Sequence, residues 1–226
     1  MCSKFCKSMI HTYVSAALGS VVSNAVVRGI SGAQTPIDWA GVAIGGLQTG
    51  TAFISYPVAL KILSDHSESF KKDLESPNGN KAKVYILGGA LGAAIIAVVN
   101  FPLSKLNQAR QGKCEKKGCC ACNFAKGMAG TFVDQLGASI GFAATNNTLG
   151  PMIPVPHNSV LAYLRANSLV QISNVGGKLL SYPILAYRHG ATLPGLLGGY
   201  FRSAHGPWIT GDACNFFKGV FTCVLE

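Results

Sequence analysis

Five long apolar segments, each rich in glycine and other small residues, constrain this chain more than any single motif does. Each is about 20 residues or longer, which is the length that a helix needs to cross the hydrocarbon layer of a membrane. The segments predict helical spans at residues 9–28, 39–63, 84–106, 124–146 and 159–188. Glycines recur in them at four-residue spacing, which lets two helix backbones come into van der Waals contact. These pairs are Gly41 and Gly45, Gly46 and Gly50, Gly88 and Gly92, and Gly137 and Gly141.

The composition carries too little charge for an ordinary soluble surface. Only 12% of the residues are Asp, Glu, Lys or Arg, and 49% are hydrophobic, whereas a soluble domain has about 25% charged residues. We therefore expect an all-α, polytopic transmembrane bundle of five or six spans, forming a single membrane domain over residues 1–226. Residues 208–225 are predicted as an interfacial helix or a sixth span, and Asp212 and Lys218 favour the interface. The alternative is a soluble helical protein with a large core or an obligate partner.

The basic residues lie mainly in loops and at the ends of the apolar segments. The formal net charge is +10, and the loop after the third segment is strongly basic through Arg110, Lys113, Lys116 and Lys117. Because no RNA- or DNA-binding motif accompanies this charge, it predicts a bilayer with anionic lipids as the partner and no nucleic acid.

Three of the apolar runs contain an aromatic residue followed by proline. A proline inside a helix removes one backbone donor and kinks the helix. The pattern therefore predicts kinked helices, with the kinks at Pro57, Pro102 and Pro183.

The runs Gly88–Arg110 and Gly176–Arg188 resemble the odd-numbered helices of the mitochondrial carrier family. In that family a small-residue helix ends in proline, with an acid two places on and a base five places on. The resemblance implies a carrier-like protein that moves a small solute across an organellar membrane, with the mitochondrial inner membrane favoured. Here the acids of the family's ion-pair gate are replaced by Ala59, Ser104 and Leu185. This departure supports the alternative, a non-transporting structural or assembly subunit that packs with other membrane subunits.

Three charged residues inside the apolar segments are candidates for a substrate path: Asp134, Arg165 and Lys178. If the fourth and fifth segments are antiparallel, Asp134 and Lys178 lie about 15 Å from the same face. A charge at that depth is costly unless it is paired, so we expect these two side chains to meet. The alternatives are a purely structural ion pair, or an Asp134 that lies at a helix end.

The cysteines Cys114, Cys119, Cys120 and Cys122 form a candidate zinc or iron–sulfur loop. Adjacent cysteines do not easily bind the same ion, so disulfide-bonded or lipidated cysteines near a membrane surface are the alternatives. The sequence has no His-Glu pair, nucleophile elbow or phosphate-binding loop. We therefore expect no enzymatic activity, no cofactor and no bound metal.

Overall fold

The computed structural model of the protein describes residues 4–30, 32, 36–112 and 121–203, with further single positions at 209, 213, 214, 216, 217 and 220. Within these ranges, the side chains of residues 121–123, 159, 163 and 199–203 lie outside the description. The described residues form helices and connections and contain no strand, which confirms the all-α prediction.

Each of the five predicted segments is a long helix that extends beyond its predicted bounds, at one end or at both. The chain runs through α1 (Lys4–Ile30), α2 (Trp39–His66), a short α3 (Glu68–Glu75), α4 (Lys81–Arg110), α5 (Ala121–Met152), α6 (Ser159–His189) and a short α7 (Leu193–Ser203). The short helices α3 and α7 were not predicted. The predicted helix at 208–225 lies largely outside the described residues.

Two of the long helices, α1 and α4, are long and apolar enough to cross a membrane by length and composition. The helices α2, α5 and α6 mix charged, hydroxyl and amide side chains with their apolar residues. A buried core helix of a soluble protein, or an apolar segment near an N-terminus, can be as long and as apolar as α1 and α4. Five or six spans therefore stay a prediction.

The helix ends that flank the connections have specific caps. The Ser67 side chain accepts a hydrogen bond from the Phe70 backbone N–H at the start of α3, and Phe70 itself is buried. The C-cap of α6 is Gly190, the residue directly after the helix. Its φ of 62° is the left-handed conformation that favours glycine. Its backbone N–H donates to the Ala186 carbonyl at 2.9 Å.

The chain divides into two compact units that share the long helices. The first contains residues 1–54, 98–128 and 203–226. Within it, α1 and α2 touch through glycine: a Cβ on Gly46 would lie 2.9 Å from the Ala17 carbonyl oxygen, and one on Gly50 would lie 2.8 Å from the Tyr13 carbonyl oxygen. Both distances are too short for a real side chain, so this contact requires glycine.

The second unit contains residues 55–97 and 129–202. Its central contact joins the antiparallel helices α5 and α6. A Cβ on Gly137 would lie 2.6 Å from the Ser181 Cα, and a Cβ on Gly141 would lie 2.6 Å from the Gly176 carbonyl oxygen. On the α6 side, a Cβ on Gly177 would lie 2.7 Å from the Ala138 carbonyl oxygen. Close backbone packing through glycine, as the four-residue spacing predicts, is thus observed between these helices.

The three prolines of the sequence pattern lie inside helices. Pro57, Pro102 and Pro183 belong to α2, α4 and α6. The aromatic residue before Pro102 makes an edge-to-face contact: the Phe101 and Phe124 ring centroids are 5.0 Å apart, at an interplanar angle of 71°. In the other two helices a serine two residues before the proline is buried, Ser55 in α2 and Ser181 in α6.

Candidate functional site

The most strongly paired charges between two long helices lie where α5 faces the end of α6. Arg188 Nε donates to Asp134 Oδ1 at 2.8 Å, and His189 Nε2 lies 2.9 Å from Asp134 Oδ2. The guanidinium also lies close over α5, since a Cβ on Gly130 would be 2.7 Å from one of its terminal nitrogens. We call Asp134, Arg188 and His189 the Asp134 clamp. It joins two helices by charge at the end of their shared interface.

The predicted partner of Asp134 was Lys178, and the structure gives it Arg188 and His189 instead. The prediction assumed that Phe124 and Arg188 lie at the same depth. The glycine contacts set a different register, in which Gly137 faces Ser181. Lys178 lies about 15 Å before Arg188 along α6, so it cannot serve the same carboxylate.

Arg165 has a backbone role at the other end of the α5–α6 hairpin. Its Nε donates to the Ile153 carbonyl at 2.8 Å, and a terminal nitrogen donates to the Gly150 carbonyl. The Gly150 carbonyl belongs to the last turn of α5 and the Ile153 carbonyl follows directly after it, where no further helical N–H groups are available to donate. The guanidinium therefore caps α5 from α6.

The three substrate-path candidates are not brought together. Asp134 and the Gly150 carbonyl that Arg165 binds are about 24 Å apart along α5. Lys178 lies between these ends, half-buried, next to the tightly packed Gly177. Each charge thus has its own surroundings, and the three do not line one site.

A polar cluster in the first unit was not predicted from the sequence. Gln48 Nε2 donates to the Asn100 carbonyl at 3.1 Å and to Ser104 Oγ at 2.8 Å. The Asn100 amide returns a long hydrogen bond of 3.4 Å to the Gln48 carbonyl. Asn100 Oδ1 is buried and has no hydrogen-bond partner among the described residues. The sequence contains one signal for this cluster, because Asn100 and Ser104 flank Pro102.

Two carboxylates in the connections have pKa values below their ordinary range. The hydrogen bond from Arg110 lowers the pKa of Asp38, and the Gly41 backbone N–H, which donates to Asp38 at 3.0 Å, adds to the effect. Lys83 Nζ donates to Asp73 Oδ2 at 2.8 Å and lowers the pKa of Asp73. Both aspartates hold a helix start in place.

The cysteine loop is a separate candidate. Cys114, Cys119 and Cys120 lie outside the described residues, as does the side chain of Cys122, so the metal hypothesis stays a prediction. In the part of the chain that is described, no three His, Cys, Asp or Glu side chains are grouped as a metal site.

No protein-family model matches this chain, and searches of curated proteins and of solved structures give no significant match. The carrier resemblance therefore rests on the proline runs alone.

Proposed function

We propose that this chain is an integral membrane protein of five or six spans that acts as a non-transporting subunit of a membrane assembly. The observation that carries the proposal is what the charged residues inside the long helices bind. Asp134 is bound by Arg188 and His189, and Arg165 caps a helix end. These charges fasten α5 to α6, and they do not converge on a path.

Exposed apolar side chains on the long helices support a membrane or assembly surface. Ile10 in α1, Val98 in α4 and Leu180 in α6 are 53%, 57% and 49% exposed. Large exposed apolar surfaces mark contacts with lipid or with another protein. Helices whose small residues face one another, and whose large apolar residues face outwards, fit a lipid environment.

One glycine in α2 offers a surface for another subunit. A Cβ on Gly45 would meet nothing within 4 Å, whereas the neighbouring Gly46 is pressed against α1. A helix backbone left open at Gly45 can be approached closely by a helix of another chain. A large side chain there would block that approach without disturbing the contact between α1 and α2.

The test is purification from native membranes into lipid nanodiscs, followed by native mass spectrometry of the wild type and of Gly45→Leu. We expect the wild type to exceed its own mass of 23.6 kDa by a stoichiometric partner, and Gly45→Leu to lose that partner. The matched control is Leu47→Ile, a volume-conserving change at an exposed position of the same helix. A wild-type protein that is recovered at its own mass alone would contradict the assembly role.

Transport is the second candidate, and the polar cluster favours it. An amide oxygen without a partner, buried beside Gln48 and Ser104, is costly unless something compensates for it. Organellar and mitochondrial inner-membrane location belongs to this candidate, since it follows from the carrier resemblance.

A thermal-shift screen of small metabolites on the reconstituted protein tests transport. A solute that uses the cluster should raise the Tm of the wild type and not that of Asn100→Leu. Equal shifts in both proteins, or none in either, would rule out the cluster as a solute site.

A further inference from the structure

The connection between α5 and α6 carries an exposed apolar surface. We call residues 148–161 the α5–α6 tip. Its large apolar side chains Met152, Val155, Val160 and Leu161 are 72%, 66%, 63% and 53% exposed. They come from the end of α5, the loop and the start of α6, so they share the outer end of one hairpin. Such a cluster needs a covering partner.

The tip and the part of α5 that leads to it contribute no charged residue, although the Arg165 guanidinium of α6 reaches the tip and binds the Gly150 and Ile153 carbonyls. From Gln135 to Leu164 the sequence has no Asp, Glu, Lys or Arg. A connection that lies in water ordinarily carries charge, as the α2–α4 connection does with Lys71, Asp73 and Glu75. The partner of the tip is therefore apolar and offers no charge to be matched.

Part of the backbone of the tip is satisfied without solvent. Pro151, Pro154 and Pro156 have no N–H to satisfy. Arg165 reaches back to the carbonyls of Gly150 and Ile153.

Backbone N–H groups at the start of α6, which is part of the tip, are also satisfied by the protein. The Asn158 side chain accepts from the backbone N–H groups of Val160 and Leu161 at 2.9 and 3.1 Å. In lipid, backbone groups must be satisfied within the protein, whereas a loop in water has no such need.

From these observations we propose that the α5–α6 tip inserts into the interfacial layer of a lipid bilayer, with its apolar side chains among the acyl chains. Exposed apolar side chains from the end of a helix, a loop and the start of the next helix suit a deformable lipid layer. α4 begins beside the end of α5, because the two helices are antiparallel: Gly89 of α4 packs against Ile140 of α5, and Phe101, later in α4, packs against Gly127, earlier in α5. The first turn of α4 contains Lys81 and Lys83, which suits an interfacial depth rather than the bilayer centre. The proposal rests on the membrane location proposed above.

The test uses the full chain in lipid vesicles, with Trp39 and Trp208 replaced by Phe. One new tryptophan is introduced as Val155→Trp. The matched control is Asn78→Trp, in the exposed polar turn of the α2–α4 connection. We expect Val155→Trp to emit at shorter wavelength than the control and to be quenched by lipids brominated near the carbonyl end of their chains. The control should be quenched by iodide.

Four other results have distinct meanings. Equal iodide quenching at both positions would overturn the insertion, and so would protection from iodide without bromine quenching, which indicates cover by protein. If neither variant floats with the vesicles and the wild type also fails to float, the proposed membrane location is wrong. If only Val155→Trp fails to float, Met152→Trp repeats the test at the end of α5.

Discussion

Two adjacent glycines in α2 show how differently the same residue type is used. Gly46 allows α2 to touch the backbone of α1, whereas Gly45 faces open space. The sequence spacing marks both as parts of glycine pairs and does not tell them apart. Only the direction of each Cα–Cβ bond, fixed by the packing, decides which glycine is required.

Replacement of Gly141 by alanine should destabilise the protein. The new Cβ would lie 2.6 Å from the Gly176 carbonyl oxygen and 2.9 Å from the Gly177 Cα. Overpacking of this kind costs about 1–3 kcal/mol. Gly45→Ala is the control, and we expect it to be neutral or to stabilise by up to about 1 kcal/mol through lower chain entropy. Unfolding in mixed micelles measures both, and equal stability of the two variants would contradict the close contact of α5 with α6.

The pH dependence of the α2–α4 connection should follow Asp73. The hydrogen bond from Lys83 holds the pKa of Asp73 below its ordinary value, the Asn80 N–H adds to this, and Lys72 also contributes. The folded pKa is therefore below the unfolded one. The stabilisation is present above the unfolded pKa and is lost as the pH falls through the folded pKa.

The Asn80 backbone N–H donates to Asp73 Oδ1 at 3.1 Å, so its NMR shift reports this titration. We expect a midpoint below the ordinary range of an aspartate in the wild type and a higher midpoint in Lys83→Gln. An unchanged midpoint in the variant would mean that Lys83 does not set the pKa.

Among the elements, the long helices were predictable and their register was not. Long apolar runs with small residues indicate helices directly, and all five were found. The eight-residue α3 was missed because its polar composition resembles a loop, although Ser67 three residues before Phe70 is an N-cap signal. The register of α5 on α6 depends on which glycines face each other, and apolar periodicity alone does not contain that information.

A double-mutant cycle tests this register. Asp134→Asn combined with Arg188→Gln should show a coupling of about 0.5–1 kcal/mol, the size expected for a partly exposed ion pair. Asp134→Asn combined with Lys178→Gln should show none. Coupling in the second cycle, with none in the first, would restore the pairing of Asp134 with Lys178.

For the whole molecule, the central prediction is that α4 crosses the bilayer. Among the described helices, it is one of two that are long and apolar enough to do so. In a cysteine-free background, Asn78→Cys and Gln108→Cys should then be labelled from opposite sides of a sealed vesicle by an impermeant maleimide. The two positions flank the apolar part of α4. Labelling of both from one side would exclude a crossing by this helix.

The two compact units are built from interleaved parts of the chain. Their boundaries fall at 54/55, 97/98, 128/129 and 202/203, inside the helices α2, α4, α5 and α7. During synthesis, α1 and the first part of α2 leave the ribosome well before residues 98–128, which belong to the same unit. The first unit therefore cannot be completed until most of the chain has been synthesised. A ribosome that stalls after α2 leaves both units incomplete. No single cut can release either unit as one continuous fragment, so neither unit can be separated from the other by cleaving the chain once.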